Sequence, residues 1–161
     1  KKRKKIIMDR EELEEIAKEL KGKRIAAIDY GRKRVGFAVT DEMHISVTPK
    51  KFFLRENGNF LEEISNEIEK ENAAAVVVGV PYRSDETKTQ LIREIENFME
   101  NLRKSTGLRI IPFDESFSSR RAVDTMVEIG KKKKFSSEKS NTDMIAAAVI
   151  LRDFLDQTEY L

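Results

Sequence analysis

The sequence predicts a mixed α/β sheet, with three antiparallel strands followed by parallel strands and helices on both faces. Three observations predict it. The run Ile25, Ala26, Ala27, Ile28 and the run over residues 73–80 (AAAVVVGV) are continuously apolar, as strands covered on both faces are. Before residue 59, strand-like runs follow one another across turn signals at Gly31 and Asn57-Gly58. After residue 59, segments of helical period alternate with β-branched runs, the pattern of strands joined by helical crossovers.

Taken in order, Asp9 followed by Glu12 marks a capping box, and Leu13, Ile16, Ala17 and Leu20 form an apolar stripe at helical spacing that Gly22 stops. This helix belongs to an expected N-terminal extension, residues 1–23; residues 24–161 are the expected domain. Strand one covers residues 24–30 and ends in a carboxylate, Asp29. Strand two covers 34–40 and contains Gly36, and glycine inside a strand marks close approach of another group. Strand three covers 45–54 and is edged at Pro49. A helix capped by Asn59 runs to about residue 72, strand four follows over 73–80, and Pro81 ends it. A long helix over 87–105 presents Leu91, Ile95, Phe98 and Leu102 on one face, and strand five covers 108–113. A helix over 118–129, a basic segment over 131–140 and a last helix over 141–157 complete the chain. The resulting order is β-β-β-α-β-α-β-α-α.

Composition narrows the chemistry. Of 161 residues, 37% are charged and 39% hydrophobic, which fits a globular protein with a densely charged surface. The net charge is only +2, but basic residues cluster at Lys1–Lys5, Arg32–Arg34 and Lys131–Lys134, and local clusters can meet phosphates without a large net charge. There is no cysteine, so thiolate ligands, disulfides and cysteine nucleophiles are excluded. The single histidine, His44, rules out a multi-histidine metal site within one chain and disfavours a Ser-His-Asp triad. Catalysis would have to rest on carboxylates, Lys/Arg, hydroxyls or an oxygen-bound metal. No stretch is long and apolar enough to span a membrane, and no signal peptide is visible, so a cytoplasmic location without membrane association is expected.

A carboxylate at the end of a buried strand is costly unless something pairs with it. Asp29 stands at the end of strand one, Asp114 and Glu115 follow strand five, and Asp143 lies in the expected first turn of the last helix. In sheets of this kind, sites form at the carboxyl ends of the parallel strands. Three converging carboxylates without His or Cys suit hard cations such as Mg²⁺ or Mn²⁺, and such a site suits phosphoryl chemistry. Other roles for each residue remain open: Asp29 could hold the following turn through an Asx-type bond, and Asp143 could simply favour the helix macrodipole. Gly31 and Gly36 are read as serving backbone geometry. Arg34 suits pairing with an acid and contact with a phosphate equally.

The residues also carry a resemblance. Asp29-Tyr30-Gly31-Arg32-Lys33-Arg34-Val35-Gly36 resembles the DYGxKRIG signature of the YqgF/RuvX family, and Thr40-Asp41 its closing (S/T)-D. Val78-Gly79-Val80-Pro81 resembles its VGLP, Asp114-Glu115 the start of its DER motif, and Asp143-Met144-Ile145-Ala146-Ala147 its DxxAA. The order and spacing are those of the family, over residues 24–155. The chain departs at Ser116, where the family has arginine, at Asp85-Glu86, where it usually has Asp-Gly, and in the added N-terminal helix. The resemblance implies an RNase H-like mixed five-stranded sheet related to the RuvC resolvases. It also implies a metal-dependent nuclease acting on the 5′ end of pre-16S rRNA. On this basis Asp29, Glu115 and Asp143 are expected to be the catalytic acids and the ligands of Mg²⁺ or Mn²⁺, with Asp114 in reserve. Adjacent residues on an extended chain point opposite ways, so only one of Asp114 and Glu115 should face the site. Arg34, Lys33, Arg120, Lys132 and Lys133 are the expected nucleic-acid contacts. A branched-DNA resolvase and a non-catalytic nucleic-acid-binding module are the alternative functions, and a homodimer is left open.

Overall fold

The computed structural model describes residues 8–82, 89–115 and 139–159. The expected helix over 118–129, the basic segment over 131–138, and with them Arg120, Lys132 and Lys133, lie outside the described residues, as do Lys1–Lys5 and Ser116.

Five strands form one sheet in the order β3-β2-β1-β4-β5: β1 (Ile25–Tyr30), β2 (Arg34–Thr40), β3 (Val47–Leu54), β4 (Ala75–Val80) and β5 (Arg109–Asp114). β1 pairs antiparallel with β2 and β2 with β3, while β1, β4 and β5 run parallel. This is the expected mixed sheet, with β1 at its centre. Helices α2 (Phe60–Lys70) and α3 (Thr89–Thr106) cover one face, and α1 (Arg10–Leu20) and α4 (Lys139–Glu159) cover the other.

Side-chain alternation explains the two cores. Ala26, Ile28 and Tyr30 join Val76, Val78 and Val80 beneath α2 and α3, packed on Ile64, Ile68, Ile95, Phe98 and Leu102. Ile25 and Ala27 join Ala75, Val77, Ile111 and Phe113 on the α1/α4 face, packed on Ile16, Leu20, Leu151 and Phe154. Because both faces of β1 and β4 are buried, these strands read as continuous apolar runs. Within the sheet, proline falls only on the two edge strands, Pro49 in β3 and Pro112 in β5, where a missing N–H leaves few ladder bonds broken. At Pro49 the pairing slips: Phe37 faces Lys51 and Ala38 faces Pro49, so Lys50 is an extra residue and the edge is bulged.

The first helix behaves as its capping residues predict. The Asp9 carboxylate accepts a hydrogen bond from the Glu12 backbone nitrogen at 2.9 Å, and the apolar stripe sinks Ile16 and Leu20 against the α4 side of the sheet. An ion pair from Arg109 to Glu19 (2.8 Å) ties it to the edge strand. Asn59 holds the N-cap position of α2 but makes no side-chain bond to the helix.

Two expectations are corrected. The third strand begins at Val47 rather than residue 45, because the Asp41 carboxylate accepts from the Ile45 and Ser46 backbone nitrogens (2.8 and 3.3 Å) and closes residues 41–46 into a loop. His44 sits in that loop with a left-handed backbone (φ 58°), its Nε2 2.6 Å from the Lys23 carbonyl. The last helix is already formed at Lys139, ahead of the expected start at about residue 141. Asp143 therefore lies beyond its first turn, where a macrodipole role for an acid fades.

Candidate active site

The site is built on the central strand. Asp29 is the penultimate residue of β1, and strand parity puts it on the α1/α4 face with Ile25 and Ala27. Its partner across the β1–β2 ladder is Gly36. On the other side, the parallel register Ile28↔Val78 brings Gly79 of β4 beside it. Asp29 is thus flanked on its own face by two residues without side chains, and each gap is filled by another acid-bearing segment. A Cβ on Gly36 would strike the backbone carbonyl of Asp143 and stand 3.1 Å from the Met144 nitrogen, so α4 rests directly on β2. A Cβ on Gly79 would stand 3.0 Å from the Glu115 Oε2 and 2.5 Å from the Ile150 Cδ1. Missing side chains make room for the Glu115 carboxylate on one side of Asp29 and for the α4 backbone at Asp143 on the other.

The electrostatics agree. Burial pushes the Asp29 carboxyl up from 3.8 to about 7, and the neighbouring charges of Glu115 and Asp143 push it in the same direction. Asp114 is turned away. It is 6% exposed and ends β5 on the α3 face, where it and Glu96 act on the Tyr82 hydroxyl, which burial first of all raises to about 12. The structure therefore brings Asp29, Glu115 and Asp143 to one face and places Asp114 on the other, as alternation along a strand requires.

Arg34 is the cation of the described site. Its Nε donates to the Asp143 Oδ2 at 2.9 Å, and the two side chains are 23% and 26% exposed. Lys33 is exposed in the β1–β2 turn. Thr40 of the family-like Thr-Asp pair is structural: its buried hydroxyl accepts from the Ile25 nitrogen at 2.9 Å, pinning the start of β1.

Arg55 was not singled out by the sequence. Its Nη1 donates to the carbonyls of Gly31 (3.1 Å) and Arg32 (2.8 Å), and its guanidinium lies 4.6 Å from the centroid of the Tyr30 ring. Its backbone nitrogen donates to the Lys33 carbonyl at 2.9 Å. One side chain thus fixes the turn that positions Asp29 and Arg34. Only the register of β2 on β3, which brings Arg55 beside that turn, could have revealed it. Arg55→Ala should cost about 1–2 kcal/mol in urea unfolding, and Arg55→Lys should recover little, because an ammonium cannot span both carbonyls. Full recovery by lysine would show that charge alone suffices.

Among the described residues, no three acid or imidazole side chains are already gathered into a metal-holding cluster. The donor chemistry nevertheless fits a hard divalent cation. The three acids offer only oxygen, and a carboxyl raised toward neutrality by burial and, after it, by two like charges is what such an ion relieves. No helix among the described residues is long and apolar enough to cross a membrane.

Sheet order and helices on both faces, with Asp29 closing the central strand, define an RNase H-like fold. Solved structures agree on the fold. The fowlpox virus resolvase bound to a Holliday junction matches with a TM-score of 0.56 at 11% identity, over 83% of this chain and 97% of that one. Thermus thermophilus RuvC with a Holliday junction matches with a TM-score of 0.52 at 10% identity, over 84% and 95%. The chain belongs to the RuvX family, whose model, described as a Holliday junction resolvase, matches residues 23–157. Relatives named "Putative pre-16S rRNA nuclease" include one from Amoebophilus asiaticus, 38% identical over 82% of this chain and 93% of its own length. Another, from Chlorobium luteolum, is 35% identical over 83% and 94%.

Proposed function

We propose that this protein is a divalent-metal-dependent nuclease that hydrolyses phosphodiester bonds, with the 5′ end of pre-16S rRNA as its substrate. The observation that carries the reading is the placement of Asp29 at the end of the central strand, Glu115 just after β5 and Asp143 on α4 about one face of the sheet, with the Asp29 carboxyl pushed up to about 7 by burial first and by the other two acids second. Relatives that carry the pre-16S rRNA name over most of this chain supply the substrate.

In this reading residues 24–161 are the catalytic unit, at work in the cytoplasm, and residues 1–23 are an extension behind it. Asp29, Glu115 and Asp143 would hold Mg²⁺ or Mn²⁺. When bound, the ion supplies Lewis-acid polarisation of the phosphodiester and of an attacking water. The chain's own residues do the rest. The end of β1, the residue that follows β5 and helix α4 bring the three acids to one face of the sheet. Lys33 and Arg34, on the turn locked by Arg55, meet the phosphate backbone, with Arg120, Lys132 and Lys133 as further contacts.

The family description makes branched DNA the second substrate to test. Hydrolysis of RNA and DNA asks the same of three carboxylates, so substrate comparison has to separate them. Wild-type protein and Asp29→Asn are incubated in Mn²⁺ with pre-rRNA leader fragments and with four-way junctions. Cleavage of the leader by the wild type alone is the expected result. Preference for the junction would transfer the assignment to branched DNA. Tight binding without cleavage would make the domain a non-catalytic module, and cleavage undiminished in the variant would remove the acids from the mechanism.

A further inference from the structure

We propose that Arg34 competes with the divalent cation for Asp143: without the ion its guanidinium holds the Asp143 carboxylate, and ion binding releases it to a phosphate of the nucleic acid. The inference rests on the metal-site reading above and deepens it.

Four observations lead to this exchange. The Arg34–Asp143 bond is short (2.9 Å), but it uses Nε alone and lies where both side chains keep about a quarter of their surface in solvent. Ion pairs of that exposure are weak enough for a dication to displace. The two ends of the bond are anchored independently. Arg34 opens β2 on a turn closed by the Gly31 nitrogen donating to its own carbonyl (2.9 Å) and clamped by Arg55. Asp143 is seated on Gly36 by its backbone. The pair can therefore part by side-chain rotation without moving either strand or helix. Asp143 is thus held by a cationic side chain at the position where it would serve as a ligand. Finally, a dication can take over from the guanidinium as the positive charge facing the acids, which sets the arginine free. A free guanidinium at the mouth of the site is well shaped for a phosphate, because its fork matches two of the phosphate oxygens.

The exchange predicts two linked results that a purely structural ion pair does not. The first concerns Mn²⁺ binding without nucleic acid, followed by electron paramagnetic resonance of the free ion. Arg34→Gln should bind Mn²⁺ about two- to five-fold more tightly than the wild type, the range that loss of one partly exposed competing pair allows. Arg34→Lys, which keeps the charge without the fork, should fall between them. If simple charge repulsion were the cause, the lysine variant would match the wild type, and the proposal would be overturned.

The second result concerns binding of a pre-rRNA leader fragment in EDTA and in Ca²⁺. In EDTA the wild type and Arg34→Gln should bind equally, because Arg34 is occupied by Asp143. In Ca²⁺ the variant should bind more weakly, with a salt dependence smaller by about one phosphate contact. An equal deficit in both conditions, or unchanged or weaker Mn²⁺ binding by Arg34→Gln, overturns the exchange. Asp29→Asn separates the two levels of the argument. If the wild type binds Mn²⁺ no better than this variant, the metal site and the exchange both fall. If Asp29→Asn loses the ion while Arg34→Gln is unchanged, the exchange alone falls. Circular dichroism and thermal melts of the Arg34 variants establish that the compared proteins are folded.

Discussion

The Asp29→Asn variant should lose cleavage by more than about 100-fold and, without divalent ions, be more stable than the wild type at neutral pH. The first effect follows from the central position of Asp29 between Glu115 and Asp143. The second follows from its titration. Its carboxyl titrates near 3.8 in the unfolded chain and near 7 in the folded one, so between those values the folded state holds the extra proton. Stability rises with pH only where the unfolded state binds more protons; here the folded state does, and stability falls as pH rises. The contribution of Asp29 is intact below pH 4, declines through pH 4–7 and is lost above about 7. The shift is roughly three pH units, an upper limit of about 4 kcal/mol at about 1.36 kcal/mol per unit. Part of the side chain meets solvent, so a gain of about 2–3 kcal/mol in the variant at pH 8 is expected. Urea unfolding in EDTA across pH 4–8 measures it, and the difference between the two proteins should vanish near pH 4. Mn²⁺ at a hundred times its Kd should close this gap, because the bound ligand adds about 2.7 kcal/mol that the variant forgoes, and at a thousand times its Kd, adding about 4.1 kcal/mol, it should reverse the order. Parallel pH profiles for the two proteins would show that Asp29 is not held in a charged, buried cluster.

Why Asp29 was readable in the sequence and its surroundings were not has a physical cause. A carboxylate closing an apolar run is conspicuous because its burial is costly, and the run itself marks the strand. The choice between Asp114 and Glu115 was harder. β5 is apolar on both faces, Ile111 and Phe113 packing under α4 and Ile110 under α3, so alternation says that the two acids part but not which way. Phe113 opposite Gly79 in the β4–β5 register decides it, and that register is a tertiary fact. The boundary of α4 was misplaced because Ser140, Asn141 and Thr142 are all good capping residues and poor helix formers. Local preference then offers three starting points, and the helix instead begins ahead of all of them. Arg55 left no local signal: its partners are the carbonyls of Gly31 and Arg32, more than twenty residues away, and any exposed arginine after a strand looks the same.

Gly36→Ala should be the most damaging glycine-to-alanine substitution among the described residues. Glycine inside a strand normally weakens it, and β2 accepts that weakness at the residue paired with Asp29. The reason is the backbone of α4. A methyl group there would meet the Asp143 carbonyl well inside van der Waals contact, with the Met144 nitrogen at 3.1 Å. Neither atom can rotate away, so the start of α4 must lift from the sheet, carrying Asp143 with it. Overpacking of this kind costs about 1–3 kcal/mol and occasionally more, and the upper end applies where the obstacle is backbone. The same methyl on Gly79 provides the control. Its first obstacle is the tip of the Ile150 side chain at 2.5 Å, which can turn, and its second is the Glu115 carboxylate at 3.0 Å. Gly79→Ala should therefore cost less than about 1 kcal/mol in stability while still displacing an acid, whereas Gly36→Ala should lose about 3 kcal/mol and cleavage together. Thermal or urea unfolding read beside the leader-RNA cleavage assay separates the two. A Gly36→Ala protein that unfolds like the wild type and keeps its Mn²⁺ affinity would mean that α4 is free to settle elsewhere on the sheet, and that Asp143 reaches Asp29 by some route other than the bare strand beneath it.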